Sequence, residues 1–537
     1  MAASEGRGFV RVYADLIQRY WEHLQAAGEI DGKQPLSVLQ WGAGTGCFAY
    51  RLLRELRDRL AYSFLASREL LYVACDEDAA AVETMRAHPR LQDDSAVGRL
   101  IVRHVVGNDR SVWRDIIEQS LPLSATPLVV IANDVFMEAE QELVGFSGGK
   151  VFDVAWGFQK QESGGTVSPP SWIERRCGGQ HPSPWESLLE TYATRLDGVA
   201  ALLPTGALNF GELCSEVTGG HYLLLATDRG IHCERQLRTG IYADITEDPL
   251  VNFDALSRQQ RLNRALSCNF AADSHGRVIH LALQGSKRCG LERLFGSLQE
   301  VLTRCFPGGT EAALHLIQSA KEEATCEELL AAVRLAEDDP RALGMVAEAF
   351  LQQLDNLTLE CCLQWRCTLE RVWNLYFPTA EDRKLWLDIG QCAANVGHWG
   401  VARSAFTVGL AMSCEDPEVL YQLSYCEAAT GHTPQALSLM QRARALDRKN
   451  EAYRELESVL LARLREWNTH PWYRDGNSDG ELTLEPLGAA HADSLLFQYR
   501  DPQIGAMTRL PELTTRDEVL AWLEAQNCES SRAQYAV

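Results

Sequence analysis

Apolar residues recur with two periods along the first 300 positions. In Phe9–Ala27 the residues Val10, Tyr13, Ile17, Tyr20 and Leu24 fall three or four apart, the spacing of an amphipathic helix. Short continuous apolar runs follow at Leu36–Gln40, Leu70–Cys75, Leu100–Val106, Leu128–Ala132, Tyr222–Ala226 and Val278–Leu283. Runs of that length, bounded by turn residues, predict buried strands. Cys47–Leu60 and Ala79–His88 predict helices between them. The alternation predicts an α/β domain built on a parallel sheet. Gly145–Phe158 predicts a hairpin turning at Gly148-Gly149, Glu162–Pro184 a loop, and Trp185–Leu203 a helix.

From about Glu311 the strand signal ends and an Ala/Leu/Glu-rich helical period takes over. Trp386, Ile389, Gly390, Gly397, Ala402 and Phe406 recur 34 residues later as Leu420, Leu423, Ser424, Gly431, Ala436 and Met440. The period and the order large, apolar, small, turn, small, large are those of tetratricopeptide (TPR) units. A stack of about three units is needed to bury a continuous core, so residues 311–380 are expected to supply further hairpins. The segment Glu481–Leu487 alternates like a strand, and Ala489–Gln498 and Thr515–Ala525 read as helices. This tail resembles the first strand and two helices of GNAT acetyltransferases. It lacks their glycine-containing pyrophosphate loop, so no acetyltransferase activity is expected. The next strand of that fold would begin at Gln534–Val537, leaving an edge for a partner or further chain to pair. The expected divisions are 1–305, 306–468 and 478–537.

Composition narrows the partners. A formal net charge of −22 and the lack of a basic run argue against nucleic acid. No apolar stretch reaches the length of a membrane span, and the N-terminus has no signal-peptide core. Sixteen cysteines are scattered without a C-x-x-C pair. Free thiols in a reducing cytoplasm are expected, and no metal site, the Cys361, Cys362 and Cys367 group included.

The candidate chemistry sits at Gln40-Trp41-Gly42-Ala43-Gly44-Thr45-Gly46, directly after the first strand and before a helix. Alternate glycines let backbone approach a ligand closely, because they tolerate positive φ and carry no Cβ. The spacing is G-x-G-x-G, not the dinucleotide G-x-G-x-x-G. The second strand ends at Asp76, where an acid can accept hydrogen bonds from a ribose diol. The other role open to Asp76 is the N-cap of the next helix. Asn108, after the third strand, is placed for adenine contact or for a turn. Asn133-Asp134 closes the fourth strand beside the expected cleft, and Asp134 could equally cap a helix over Phe136–Leu143.

The glycine run resembles the first motif of class I S-adenosylmethionine (SAM) methyltransferases. With His88-Pro89-Arg90-Leu91, Val129–Phe136 and Leu223–Gly230, the first 300 residues resemble the MidA-like group, and its bacterial relatives fused to TPR repeats. The resemblance implies a seven-stranded Rossmann-like sheet with SAM as cofactor. It implies cofactor contacts from Gly42, Ala43, Gly44, Thr45, Gly46, Asp76, Asn108 and Asn133. It also implies methylation of protein arginine, with Asn133 and Asp134 at the acceptor. Asp228-Arg229-Gly230 matches a family turn. The chain departs from the group where Gln40 replaces an acid that holds the methionine amino group. It departs again where Met137 replaces a second acid, and where an N-terminal covering segment is missing. The expected function is therefore SAM-dependent methylation of a protein or peptide acceptor selected through the TPR groove. The alternative is a methyltransferase-fold scaffold that has lost its chemistry and works through its TPR partners. A third reading is a modifier of a small or carrier-bound molecule.

Overall fold

The structure, a computed structural model, describes residues 6–30, 34–106, 110–121, 127–155, 158–159, 166–167, 171–174, 185–238, 250–272, 276–285, 288–305, 313–314, 317–318, 324–354, 357–379, 382–412, 416–469, 485–486, 488–499, 513–528 and 535–536. The chain divides into two units, Met1–Ala312 and Ala313–Val537.

The periodic apolar face of the first helix, α1 (Arg7–Ala26), is buried along Val10, Tyr13, Ile17, Tyr20 and Leu24. β1 (Leu36–Trp41) is buried at every position, as a central strand covered on both faces must be. The glycine turn leads into α2 (Cys47–Leu60). β2 (Leu70–Asp76) follows, then α3 (Ala79–Ala87), α4 (Pro89–Ala96), β3 (Leu100–His104), α5 (Arg110–Ser120) and β4 (Leu128–Asn133). Proline starts α4 at its first turn, where its missing N–H costs nothing, and the His88 ring accepts from Arg90 N–H at 3.2 Å as the cap.

The chain then leaves the sheet. β5 (Glu142–Ser147) and β6 (Lys150–Ala155) form a hairpin at Gly148-Gly149, both at positive φ as a two-residue turn requires. β7 (Phe158–Gln159) pairs β8 (Thr166–Val167), and β9 (Ser171–Glu174) adds to β6. β8 and β9 fall inside the segment expected to be a loop, and β7 lies just before it. The expected helix Trp185–Leu203 is in fact α6 (Glu186–Ala193) and a strand, β10 (Val199–Leu203), broken at Gly198 with φ +66°. β10 pairs β5 antiparallel, a long-range partnership that overrides the local helical pattern.

α7 (Thr205–Val217) returns the chain to the main sheet at β11 (Tyr222–Ile231). That strand runs through Asp228-Arg229-Gly230, which is therefore strand and not turn, because its neighbour pairs with it as far as Arg229. α8 (Glu234–Arg238), β12 (Val251–Asn252), α9 (Phe253–Leu262), β13 (Leu266–Ala271), β14 (Arg277–Gln284) and α10 (Arg288–Cys305) complete the unit. The sheet order is β13-β14-β11-β4-β1-β2-β3, with β12 pairing β11 at the side. β3, β2, β1, β4 and β11 are parallel, and β14 runs antiparallel between β11 and β13. The chain builds outward from β1 in one direction, then from β4 in the other, so β1/β4 is the topological switch point.

The described residues of the second unit through 469 are mostly helical and are compatible with a helical solenoid. Its hairpins include 383–395 with 399–412 and 417–429 with 433–446. Each pair reuses one geometry 34 residues apart. Gly397 and Gly431 end their helices at positive φ, and the following His398 and His432 N–H groups each donate to a carbonyl five residues back at 2.8 Å. A Cβ on Gly390 would lie 2.5 Å from the Phe406 ring, and one on Gly409 would lie 2.4 Å from the Trp386 ring. Each helix thus offers a glycine to an aromatic ring of the other. Helix propensity alone makes Gly409→Ala stabilising by about 1 kcal/mol, while overpacking a rigid ring costs about 1–3 kcal/mol. Packing wins, and urea unfolding is expected to show a net loss for Gly409→Ala; a gain would refute the close crossing. Of the tail strand, Glu485–Pro486 pairs Tyr535–Ala536 antiparallel, and residues 481–484 lie outside the described residues. No helix among the described residues is long and apolar enough to cross a membrane.

Candidate functional site

The C-terminal ends of β1, β2 and β4 open onto a cavity of about 540 Å³. That is within the size range of small-molecule and cofactor sites, and it lies at the switch point where open α/β sheets bind ligands. Gly42, Ala43, Gly44, Asp76, Asn133 and Asp134 all line it. The sequence places these residues up to 92 positions apart, from Gly42 to Asp134.

The three glycines of the turn serve different ends. All have positive φ: +73° at Gly42, +54° at Gly44 and +87° at Gly46. A Cβ on Gly42 would fall 2.0 Å from Val135 Cγ1 and 3.3 Å from Asn133 O, so only glycine lets the β1 and β4 ends meet. Gly46 faces away from the cavity and lets α2 pack on Met85 and Leu91. Gly44 has open space where its side chain would be. Thr45 and Gly46 do not line the cavity.

Asp76 is tied to this turn. Its Oδ2 accepts from Gly44 N–H at 2.6 Å and its Oδ1 from Asp78 N–H at 2.9 Å. The helix cap is Asp78, whose Oδ1 accepts from Ala80 N–H at 2.9 Å, so Asp76 is not the N-cap. A carboxylate has lone pairs beyond the two used here, and the Asp76 side chain still faces the cavity.

At β4 the Asp134 N–H donates to Thr227 O at 2.8 Å and the residue turns through φ +55°. The chain beyond is a turn over 136–139 and then β5, so the helix Phe136–Leu143 does not form. The Asp134 carboxylate pairs with the Arg277 guanidinium on β14. Buried Asp228 holds the same turn: Oδ2 accepts from Met137 N–H at 2.9 Å and Oδ1 from Arg229 N–H at 2.8 Å. Burial, opposed by those bonds, pushes the Asp228 carboxyl up to about 6. Met137 packs on the core, and the next residue, exposed Glu138, lines the cavity.

Gln40, where the sequence resemblance expects an acid, is buried. Its Oε1 accepts from the Tyr72 hydroxyl at 2.7 Å and its Nε2 donates to Gly42 O at 3.3 Å. An amide can do both at once where a carboxylate could only accept. Asn108 lies outside the described residues. Sequence reasoning did not single out Phe48, Glu77, Asp78 or Glu138 as cavity residues, nor Tyr13, whose hydroxyl donates to Asn133 Oδ1 at 3.0 Å. Burial drives the Tyr13 phenol far above its ordinary range, so it remains a donor. Among the described residues no group of three or more His, Cys, Asp or Glu side chains could hold a metal ion.

No protein-family model and no curated protein matches the chain. Solved structures share part of it. An uncharacterised Burkholderia thailandensis protein aligns over 51% of this chain and 68% of its own, at 14% identity and a TM-score of 0.31. A suspected methyl transferase of the same superfamily and organism, bound to S-adenosylhomocysteine, aligns over 51% and 76%, at 15% identity and a TM-score of 0.30. A pyocyanin biosynthetic protein aligns over 50% and 58%, at 11% identity and a TM-score of 0.23. The mixed sheet with its flanking helices makes the first unit an α/β domain.

Proposed function

We propose that the first unit binds S-adenosylmethionine in this cleft and passes its methyl group to a protein or peptide acceptor, selected with the help of the helical repeats. The observation that carries the reading is the convergence of the glycine turn with Asp76 at the switch point. Gly44 gives a ligand open backbone, and Asp76 offers a carboxylate to a ribose diol. When bound, the cofactor supplies an electrophilic methyl on a sulfonium, taken by in-line displacement with the bond pair returning to sulfur. The protein's part is then mainly to hold the two partners in line.

On the acceptor side stand the Asp134 carboxylate, paired with Arg277, and the exposed carboxylate of Glu138. Glu138 takes the place of the acid that Met137 lacks, since the turn aims residue 138, not 137, at the cleft. Carboxylates there suit a cationic acceptor such as an arginine side chain, which they bind as a planar fork. One observation favours the second reading, a scaffold without chemistry: Arg277 already engages Asp134.

The test is calorimetric titration of the full chain with SAM and with S-adenosylhomocysteine, followed by transfer of labelled methyl to protein extracts. Micromolar binding and labelling support the enzyme; absence of binding to a folded chain supports the scaffold. The carboxylates of Asp76, Glu77, Asp78, Asp134 and Glu138 around the cleft add a prediction. They attract the cationic sulfonium more than the neutral thioether. Raising salt shortens the Debye length from about 10 Å at 0.1 M toward about 3 Å at 1 M, so SAM binding should weaken more than S-adenosylhomocysteine binding. Equal salt dependence of the two would count against a charged cleft.

A further inference from the structure

We infer that Tyr13, on the N-terminal helix, is a positioning residue for the cleft: it sets the Asn133 amide so that Nδ2 is presented to a ligand oxygen. The inference rests on the cofactor reading above and adds a chemical class to it. The ligand atom that meets Asn133 is a hydrogen-bond acceptor, a carboxylate or carbonyl oxygen.

Tyr13 is fully buried and Asn133 is 7% exposed. The phenol keeps its proton and donates it to Asn133 Oδ1 at 3.0 Å. With the amide reversed, that phenol proton would face a donor instead of an oxygen. A reversed amide could donate to the phenol oxygen, but the phenol proton would then lose Oδ1 as its acceptor, so the hydroxyl favours the orientation that turns Nδ2 away from Tyr13. That nitrogen has no hydrogen-bond partner among the described residues, although it is buried. A buried donor left unpaired costs about 1–3 kcal/mol, so its placement calls for a partner that the protein does not supply.

The place is informative. Asn133 lines the cavity, and its own backbone oxygen lies 3.3 Å from where a Gly42 Cβ would stand. A ligand seated on the glycine turn is thus beside Asn133. Tyr13 also packs edge-on against Phe48, another cavity residue, with ring centroids 5.6 Å apart. One side chain of α1 therefore holds two walls of the cleft, and docking of that helix is coupled to occupancy of the site.

The experiment is titration of the full chain with S-adenosylhomocysteine for the wild type, Tyr13→Phe, Asn133→Ala and the double variant, with ligand-free melting curves of each. The phenylalanine keeps the ring contact with Phe48 and removes only the hydroxyl. The expected result is about a tenfold loss of affinity in each single variant, with no further loss in the double variant. The increase in melting temperature caused by ligand should shrink in Tyr13→Phe more than its ligand-free melting temperature falls. A merely structural role would do the reverse, lowering the ligand-free melt and leaving affinity alone. Wild-type affinity in Tyr13→Phe, or losses that add in the double variant, would overturn the inference while leaving the cofactor reading in place. A wild type that binds no S-adenosylhomocysteine would overturn both.

Discussion

Gly44→Trp is expected to abolish binding of S-adenosylhomocysteine without unfolding the first unit. The reason is geometric. Nothing lies within 4 Å of the position a Gly44 side chain would take, and the residue lines the cavity, so an indole there fills the cleft instead of displacing protein. The left-handed backbone at φ +54° adds a strain of about 1–2 kcal/mol, too small to unfold a domain with this core. Asp76→Ala should act on the same site by a different route. Two charge-assisted hydrogen bonds to a ribose diol, at about 1.5–3 kcal/mol each, correspond to a loss of about a hundredfold or more. The substitution also strips the acceptor from Gly44 N–H. Asp76→Asn, with one oxygen left, should fall between. Calorimetry and a melting curve on each variant decide the matter. A folded Gly44→Trp protein with wild-type affinity would place the ligand elsewhere.

Where structure followed local pattern, the sequence was readable. The first apolar run, the glycine turn and the helix Cys47–Leu60 appear as expected, because a buried parallel strand and a glycine turn are written in consecutive residues. The 34-residue spacing is legible for the same reason. What escaped reading depends on partners distant in the chain. β13 carries Ser267 and Asn269 among its apolar residues, which weakens any strand pattern. In the fold Ser267 Oγ donates to Ser257 O at 2.8 Å, and Asn269 Nδ2 reaches His232 O and Phe253 O at 3.1 Å each. β10 looks helical until β5 pairs with it. The site shows the same division. Gly42, Gly44 and Asp76 announce themselves by position after a strand. Tyr13 reads as one more apolar position on a helix, and its hydroxyl acquires meaning only when β4 arrives 120 residues later. Glu138 is not legible because the expectation places an acid at residue 137, whereas the turn pinned by Asp228 brings residue 138 to the cleft.

The same turn and the neighbouring β14 give the first unit two opposed responses to acid. His280 is wholly buried, and desolvation, the larger cause, with the Arg261 charge pushes it down to about 3 from 6.5. Its Nδ1 lies 2.7 Å from Asn269 Oδ1 and its Nε2 2.9 Å from Gln260 Oε1. A histidine depressed in the folded state stabilises fully above its unfolded value. As pH falls below 6.5 the unfolded chain takes up a proton that the folded chain refuses, and by pH 5 about 2 kcal/mol is lost. Asp228 has the opposite sign. Its folded value of about 6 stands above the unfolded 3.8, so between those limits the folded chain binds the extra proton. Lowering the pH from 7 to 5 therefore gains about 1 kcal/mol from that group. The wild type should lose only about 1 kcal/mol over this interval. Asp228→Asn should lose about 2 kcal/mol, and His280→Asn should become more stable in acid, with a reversed slope. Hydrogen exchange of β4 and β11 at pH 7 and pH 5, corrected for intrinsic rates, reads the first unit apart from the helical one. Because each protein is compared with itself at two pH values, the fixed cost of the substitution cancels. Parallel slopes in all three proteins would show that neither buried group governs acid stability.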